Sequence, residues 1–347
     1  MTSITSQSSA IKLSICITTL NRGDVIGATL ESILAQTTGE CEVVVLDSAS
    51  TDSTQRVVSD YASRYPLLRY VRQDTNNGVD RDYDRAVELA RGEYCWLMTD
   101  DDVLKPGAVS AVLNALRRDV SLVIVNVEFR DFTMSKLMQS RAFDFESDRV
   151  YAPAQMDRLF AEVDGILWYV GSFIVKRQIW LTRNKEPYYG SWFIFIGVIF
   201  QESLPGEAVV IAQPLISYRL GNSHTYWPHV SEVFFLRWPS LVGSLALSES
   251  ARRKVRSAEP WRSPGWLLLL RGWGFYSLAE YRRWVRPRLH SIREWVAPAL
   301  VAVLPGVLVN AFFVFYFSIH GERGRWLPGM KRSPFYFRNW QVFRRAA

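Results

Sequence analysis

The chain has 347 residues, enough for one large domain plus an appendage, and its 48% hydrophobic and 22% charged content is ordinary for a globular protein. Its formal charge of +7 conceals an asymmetry: residues 250–347 hold 18 Lys+Arg and 4 Asp+Glu, a net +14, whereas residues 1–249 hold 23 and 30, a net −7. An acidic front half can host a metal ion. A basic, aromatic tail suits an anionic membrane surface; because it is also strongly aliphatic and carries no nucleic-acid motif, a nucleic-acid partner is set aside.

Residues 1–10 are polar and Ser/Thr-rich with no apolar h-region. They read as a flexible N-terminus without a secretory signal, so the front half is expected to stay in the cytoplasm. Leu13–Thr19 reads as a buried strand and Asp24–Gln36 has helical periodicity. Cys41–Leu46 is a second buried strand ending at Asp47. Thr51-Asp-Ser-Thr54 supplies N-cap chemistry for a helix through about Arg64. Leu67–Arg72 is a third strand, Asn76-Asn-Gly78 a turn, Asp80–Ala90 a helix and Glu93–Met98 a fourth strand. Pro106–Arg117 is helical and Ser121–Phe129 a fifth strand. Strand and helix alternate with short connections, which predicts right-handed βαβ units: an α/β fold with a mainly parallel sheet flanked by helices. Cys16, Cys41 and Cys95 lie in core strands, odd in number and without metal-knuckle spacing, and read as reduced core residues.

Functional groups in such sheets gather at the carboxyl ends of strands. Thr18, Thr19 and Asn21 follow strand one, Asp47 and Ser48 follow strand two, and Asp100, Asp101 and Asp102 follow strand four. Three adjacent acids repel one another unless a cation compensates them. At the end of a buried strand they suit a hard divalent metal carrying phosphate oxygens. The competing reading is a polar turn ahead of the helix that Pro106 starts.

Beyond Asp131 the alternation weakens. Residues 131–160 read as an irregular connection plus a helix, Gly171–Arg177 as a strand leaving a turn, Trp192–Phe200 as a buried helix, and Val209–Arg219 as a strand ending at the polar loop Gly221-Asn-Ser-His224. Val296–Ile319 is nearly all apolar and approaches the ~20 residues that span a bilayer, but Pro298, Pro305, Gly306 and Asn310 break it. These breakers favour a re-entrant or in-plane element over a span; a buried helix in a soluble subdomain is the alternative. Lys331–Trp340 and Phe343-Arg-Arg345 have the aromatic and arginine content of an interfacial anchor.

The front segments resemble a family-2 glycosyltransferase of the GT-A (Rossmann-like) fold over roughly residues 12–225. The resemblance rests on Ser14-Ile-Cys-Ile-Thr-Thr-Leu-Asn-Arg22, Val43-Val-Val-Leu-Asp-Ser-Ala-Ser-Thr-Asp52, Asn77-Gly78, Arg91-Gly-Glu-Tyr94 and the acidic triplet, in this order and spacing. Gly78–Asp82, followed by Gly92–Leu97 and the triplet, is similar to the abequosyltransferase-like branch, which attaches deoxysugars during bacterial O-antigen assembly. The resemblance implies a catalytic domain over 11–225, with a nucleotide-sugar half (11–130) and an acceptor half (131–225). Residues 226–347 would then be a helical membrane-associated region.

By position, the resemblance implies that Thr18, Thr19, Asn21, Arg22, Asp47, Ser48, Asp80, Asp100 and Arg219 bind the nucleotide-sugar. Asp47 would take the base or ribose; the alternatives are a loop-capping acid for Asp47 and a helix N-cap for Asp80. The family pattern makes Asp101 the principal ligand of Mn2+ or Mg2+, supported by Asp100, Asp102 and His224; if the loop slips by one residue, Asp100 and Asp102 become the Asp-X-Asp pair instead. This chain departs from the family at Tyr83-Asp84, where relatives carry Arg-Asn. It departs again at Trp192-Phe193-Ile194, where relatives carry the Glu-Asp pair that supplies the catalytic base. Asp164 and Glu202 are the candidate substitutes for that base, followed by Asp144. The implied activity is inverting transfer from a nucleotide-sugar donor to a polyprenyl-diphosphate-linked saccharide, as in O-antigen-type synthesis at the cytoplasmic side of the bacterial inner membrane, with peripheral or monotopic attachment. A polyprenyl-phosphate sugar synthase and a non-catalytic nucleotide-sugar-binding scaffold are the alternatives.

Overall fold

Leu13–Thr19 (β1), Cys41–Asp47 (β2), Leu68–Arg72 (β3) and Tyr94–Met98 (β4) pair in parallel, β1 lying between β2 and β4 and β3 outside β2. β1, β2 and β4 are buried along their whole length, as strands covered on both faces must be. The computed structural model describes residues 11–221, 230–255, 259–320 and 326–338. Ile26–Leu34 (α1), Thr54–Arg64 (α2), Val79–Leu89 (α3) and Ala108–Leu116 (α4) fall within or beside the stretches their periodicity marks out. Cys16, Cys41 and Cys95 are buried and unpaired. Gly92 is required by close approach: a Cβ there would stand 2.6 Å from the Ser14 amide nitrogen and hydroxyl.

The rest of the sheet is built differently. Val103–Leu104 (β5), Leu122–Arg130 (β6), Leu137–Gln139 (β7), Arg149–Tyr151 (β8), Phe173–Lys176 (β9) and Ala208–Arg219 (β10) complete the order β3-β2-β1-β4-β9-β6-β10-β5, with β7 on β6 and β8 on β10. β9 runs antiparallel between β4 and β6, so β6 shares the direction of β4 without touching it. The irregular stretch after Asp131 contains β7, β8 and the helix Met156–Glu162 (α5). Arg177–Thr182 (α6) and Ile194–Phe200 (α7) follow.

The chain forms two compact units, residues 1–127 with 143–218 and residues 128–142 with 219–347. The first unit ends within the last residues of β10, and the 128–142 excursion groups with the C-terminal residues. Long-range packing decides this, and chain order does not record it. In the second unit, Asn310 sits in the apolar run without breaking it. It is 1% exposed, and its amide donates to the carbonyls of Gly272 (3.0 Å) and Met330 (2.9 Å), tying Gly306–Ile319 to Pro264–Trp273. The actual break is Leu304-Pro305. A residue before proline is pushed out of the helical region, and Leu304 has ψ 143°. Helices Ile292–Val303 and Gly306–Ile319 meet there at 87°; among the described residues no single helix is long and apolar enough to cross a membrane.

Candidate functional site

β4 delivers the acidic loop Thr99–Asp102 at its carboxyl end, beside that of β1. Its three aspartates do different things. Asp102 is fully buried and faces inward: one carboxylate oxygen accepts hydrogen bonds from the Thr99 hydroxyl (2.6 Å) and the Tyr169 hydroxyl (2.6 Å). Burial first, then the Asp102 charge, pushes the Tyr169 phenol well above its ordinary range, which keeps it a donor. Gly171 makes room for that hydroxyl, since a Cβ there would lie 2.3 Å from it. Through that oxygen Asp102 helps hold the loop.

Asp100 and Asp101 form the outer pair. Desolvation and the neighbouring Asp101 charge push the Asp100 carboxyl up to about 7, and the Arg22 guanidinium 3.6 Å away offsets this only in part. Among the described residues no three His, Cys, Asp or Glu side chains converge on a metal-holding geometry. A desolvated, like-charged pair with its charge incompletely offset still fits a divalent cation, with Asp101 and Asp100 as its oxygen donors. Tyr83 is 5% exposed and its hydroxyl donates to the Met98 carbonyl, at the end of β4, at 3.2 Å.

The loops after β1 and β2 are stitched together. Asn21 has φ +54°; its amide N–H donates to the Ser50 hydroxyl (2.9 Å) and its side-chain oxygen accepts from the Thr51 amide (2.8 Å). The Arg22 amide donates to the Thr54 hydroxyl at 2.8 Å, which fixes the backbone that aims Arg22 at Asp100. The Asp47 carboxylate is enclosed, 0% exposed, accepting from the Ser50 amide (2.8 Å) and the Tyr70 hydroxyl (2.6 Å). These bonds tie it to the loop after β2 and to β3. Ser48, 2% exposed, donates to Asp82 at 2.6 Å, and burial raises the Asp82 pKa. Thr18 and Thr19 end β1 and are buried. The structure thus brings Thr18, Thr19, Asn21, Arg22, Asp47 and Ser48 to the carboxyl ends of β1 and β2, with Asp100 and Asp101 at that of the adjacent β4.

Asp80 is engaged elsewhere. Its carboxylate, from the first turn of α3, accepts from the amides of Trp192 (2.9 Å) and Ile194 (3.1 Å). It caps the start of α7. Asp84 holds the same region through the Trp180 indole at 2.9 Å and the Tyr189 hydroxyl. Glu202 is exposed and lies two residues beyond Phe200, the last residue of α7. Asp144 is exposed as well. Asp164 is half-buried and opens the short turn that ends in Tyr169, the residue bound to Asp102. Arg219, in the second unit, is 7% exposed and donates to the Phe132 carbonyl at 2.7 Å. His224 lies outside the described residues.

Sequence reasoning missed the aromatic side chains. Tyr169 meets Asp102 across 67 positions. Trp168, 38% exposed, stands edge-on to Tyr218 at 5.5 Å, and Tyr169 edge-on to the same ring at 5.1 Å. The Trp168-Tyr169 doublet was the available signal, but no local pattern links it to the acidic loop.

Known proteins agree with this architecture. Residues 14–178 match the glycosyl transferase family 2 model. The chain is 27% identical to abequosyltransferase RfbV of Salmonella typhimurium over 225 residues, 60% of this chain and 67% of that one. It is 25% identical to the GalNAc(5)-diNAcBac-PP-undecaprenol beta-1,3-glucosyltransferase of Campylobacter jejuni, covering 52% of this chain and 57% of that one. Curated relatives are matched over about a fifth to two thirds of their own length. A mannosyltransferase from Pyrobaculum calidifontis, solved with GDP-Man and Mn2+, superposes with TM-score 0.52 at 14% identity over 92% of this chain and 86% of that one, a likeness of fold. Over residues 14–178 the chain is thus similar to family-2 glycosyltransferases, and it has the GT-A α/β fold.

Proposed function

We propose that this protein is an inverting, divalent-metal-dependent glycosyltransferase. In this reading it moves a sugar from a nucleotide-activated donor to a polyprenyl-diphosphate-linked saccharide, as in O-antigen-type synthesis of bacterial surface polysaccharide. The observation that carries the reading is the Asp100–Asp101 pair at the carboxyl end of β4, desolvated and only partly offset by Arg22. Mn2+ or Mg2+ held by Asp101 with Asp100 would compensate the charge of a leaving nucleoside diphosphate. A superposable enzyme solved with GDP-Man and Mn2+, and a relative whose name specifies a PP-undecaprenol-linked saccharide, support the choice of metal, donor and acceptor class. Inversion rests on the family resemblance.

Asp164 is the proposed base, because its segment also delivers Tyr169 to Asp102. The exposed Trp168 ring offers an apolar plate for a sugar beside the same segment. Full-length protein, assayed with a panel of nucleotide-sugars on lipid-linked saccharides, is expected to transfer sugar only with divalent metal present. Asp101→Ala is expected to lower transfer by about a hundredfold or more, some 2.7 kcal/mol of barrier, while leaving the melting temperature within a few degrees. Full activity of that variant in excess chelator would overturn the reading. Transfer to bare polyprenyl phosphate would instead identify a polyprenyl-phosphate sugar synthase, and nucleotide binding without turnover a scaffold.

A further inference from the structure

Helices Ile292–Val303 and Gly306–Ile319 each bury one side in the core of the second unit, where Val301, Ala302 and Phe317 join Leu267, Leu270 and Trp273. Their other sides are open and apolar. On the first helix Ile292 is 71% exposed, Val296 52%, and Leu300 and Val303 60% each. On the second, Leu308 is 67% exposed, Phe312 60%, Phe315 66% and Ile319 60%. Steps of three and four residues keep each set on one helical face. A water-facing helix places charged residues on such a face, yet Gly306–Ile319 contains none. An apolar patch of this extent marks a surface that meets a partner.

The surrounding charge selects the partner. Arg283 lies over the Trp284 ring (4.5 Å) and Arg286 over the Trp295 ring (3.4 Å), just before and within the first helix. Lys331 and Arg332 follow the second, both exposed. Arg338 lies over Phe337 (5.7 Å), which is 67% exposed. Aromatic rings paired with arginines beside an apolar face match the headgroup zone of an anionic bilayer. A second copy of this chain is the wrong partner, because residues 250–347 carry a net +14 and two such regions repel. At 14 and 12 residues, the helices are about 21 and 18 Å long, short of the ~30 Å hydrocarbon core.

We infer that this right-angled helix pair is a monotopic membrane-docking wedge, lying in the plane of an anionic leaflet with its eight-residue apolar stripe inserted and its arginines on lipid phosphates. The inference goes beyond the proposed reaction and does not depend on it, since vesicle capture is read without donor or acceptor.

The test is flotation of full-length protein with vesicles of phosphatidylcholine mixed with phosphatidylglycerol, and with phosphatidylcholine alone. Wild-type protein is expected to float with the mixed vesicles and much less with the neutral ones. The triple variant Leu308→Glu, Phe312→Glu, Phe315→Glu alters only exposed positions. It is expected to keep the wild-type melting curve and lose at least about tenfold in vesicle partitioning. Failure of wild-type protein to float overturns the inference, as does equal flotation of the folded triple variant. Self-association abolished by the same substitutions, without vesicle binding, overturns it in favour of a protein–protein face.

Discussion

Asp100 and Asp102 are two positions apart and have opposite environments. Asp102 is fully buried yet supplied with two hydroxyl donors, whereas Asp100 has a like charge beside it and one guanidinium at 3.6 Å. The consequence is a pH dependence. Desolvation and Asp101 raise the folded-state pKa of Asp100 to about 7, against ~3.9 in the unfolded chain. Between those values the native state keeps a proton that the unfolded state has lost. The associated stability is fully present below about pH 4, declines as pH rises and is gone above about 7, a loss of at most about 4 kcal/mol. Metal-free protein melted across that range in chelator should show this decline, and Asp100→Asn should flatten it. An equally steep decline in the variant would assign the effect to another group. Tyr169→Phe removes one donor from a buried carboxylate and should cost about 1–3 kcal/mol in chemical denaturation, with transfer lowered as the loop loosens.

The start of α7 is held by a borrowed carboxylate, that of Asp80 on α3. Asp80→Ala leaves the Trp192 and Ile194 amides without that acceptor. By analogy with lost helix caps it should cost about 1–2 kcal/mol, read as a lower denaturation midpoint at unchanged slope. The 164–169 turn supplies a catalytic contrast. Asp164→Asn should depress kcat with donor binding intact, whereas Glu202→Gln, at the exposed far end of α7, should leave both unchanged. Equal effects of the two would remove Asp164 as the base. Trp168→Ala should raise the acceptor KM more than it lowers kcat, as loss of a binding plate does. The strands and helices of the first half were legible because an apolar run every 26–28 residues, punctuated by capping residues, admits few alternatives. β5, β7 and β8 were not: two or three residues carry no period, and such strands exist only because a neighbour offers unpaired hydrogen bonds.

At the scale of the whole chain, the two units have different logic. The first is a covered sheet with an acidic edge; the second is a small aromatic core with an uncovered apolar side. This changes how membrane attachment should be probed. Deleting residues 296–347 removes Val301, Ala302, Phe317 and Met330 from the second core along with all of the outer stripe but Ile292. The truncated chain is therefore expected to lose the cooperative melting of that unit and aggregate; a soluble, cooperatively folded truncation would count against the packing described above. Sequence alone determined the parallel half of the sheet, the acidic loop at a strand end, and the opposite charge of the two regions, because hydrophobic period, adjacency and net charge are local or additive properties. Only the tertiary structure decided which aspartate faces inward, which carboxylate caps α7, and which side of Ile292–Ile319 stays open. Each of those depends on contacts between residues tens of positions apart, which no window of the chain contains.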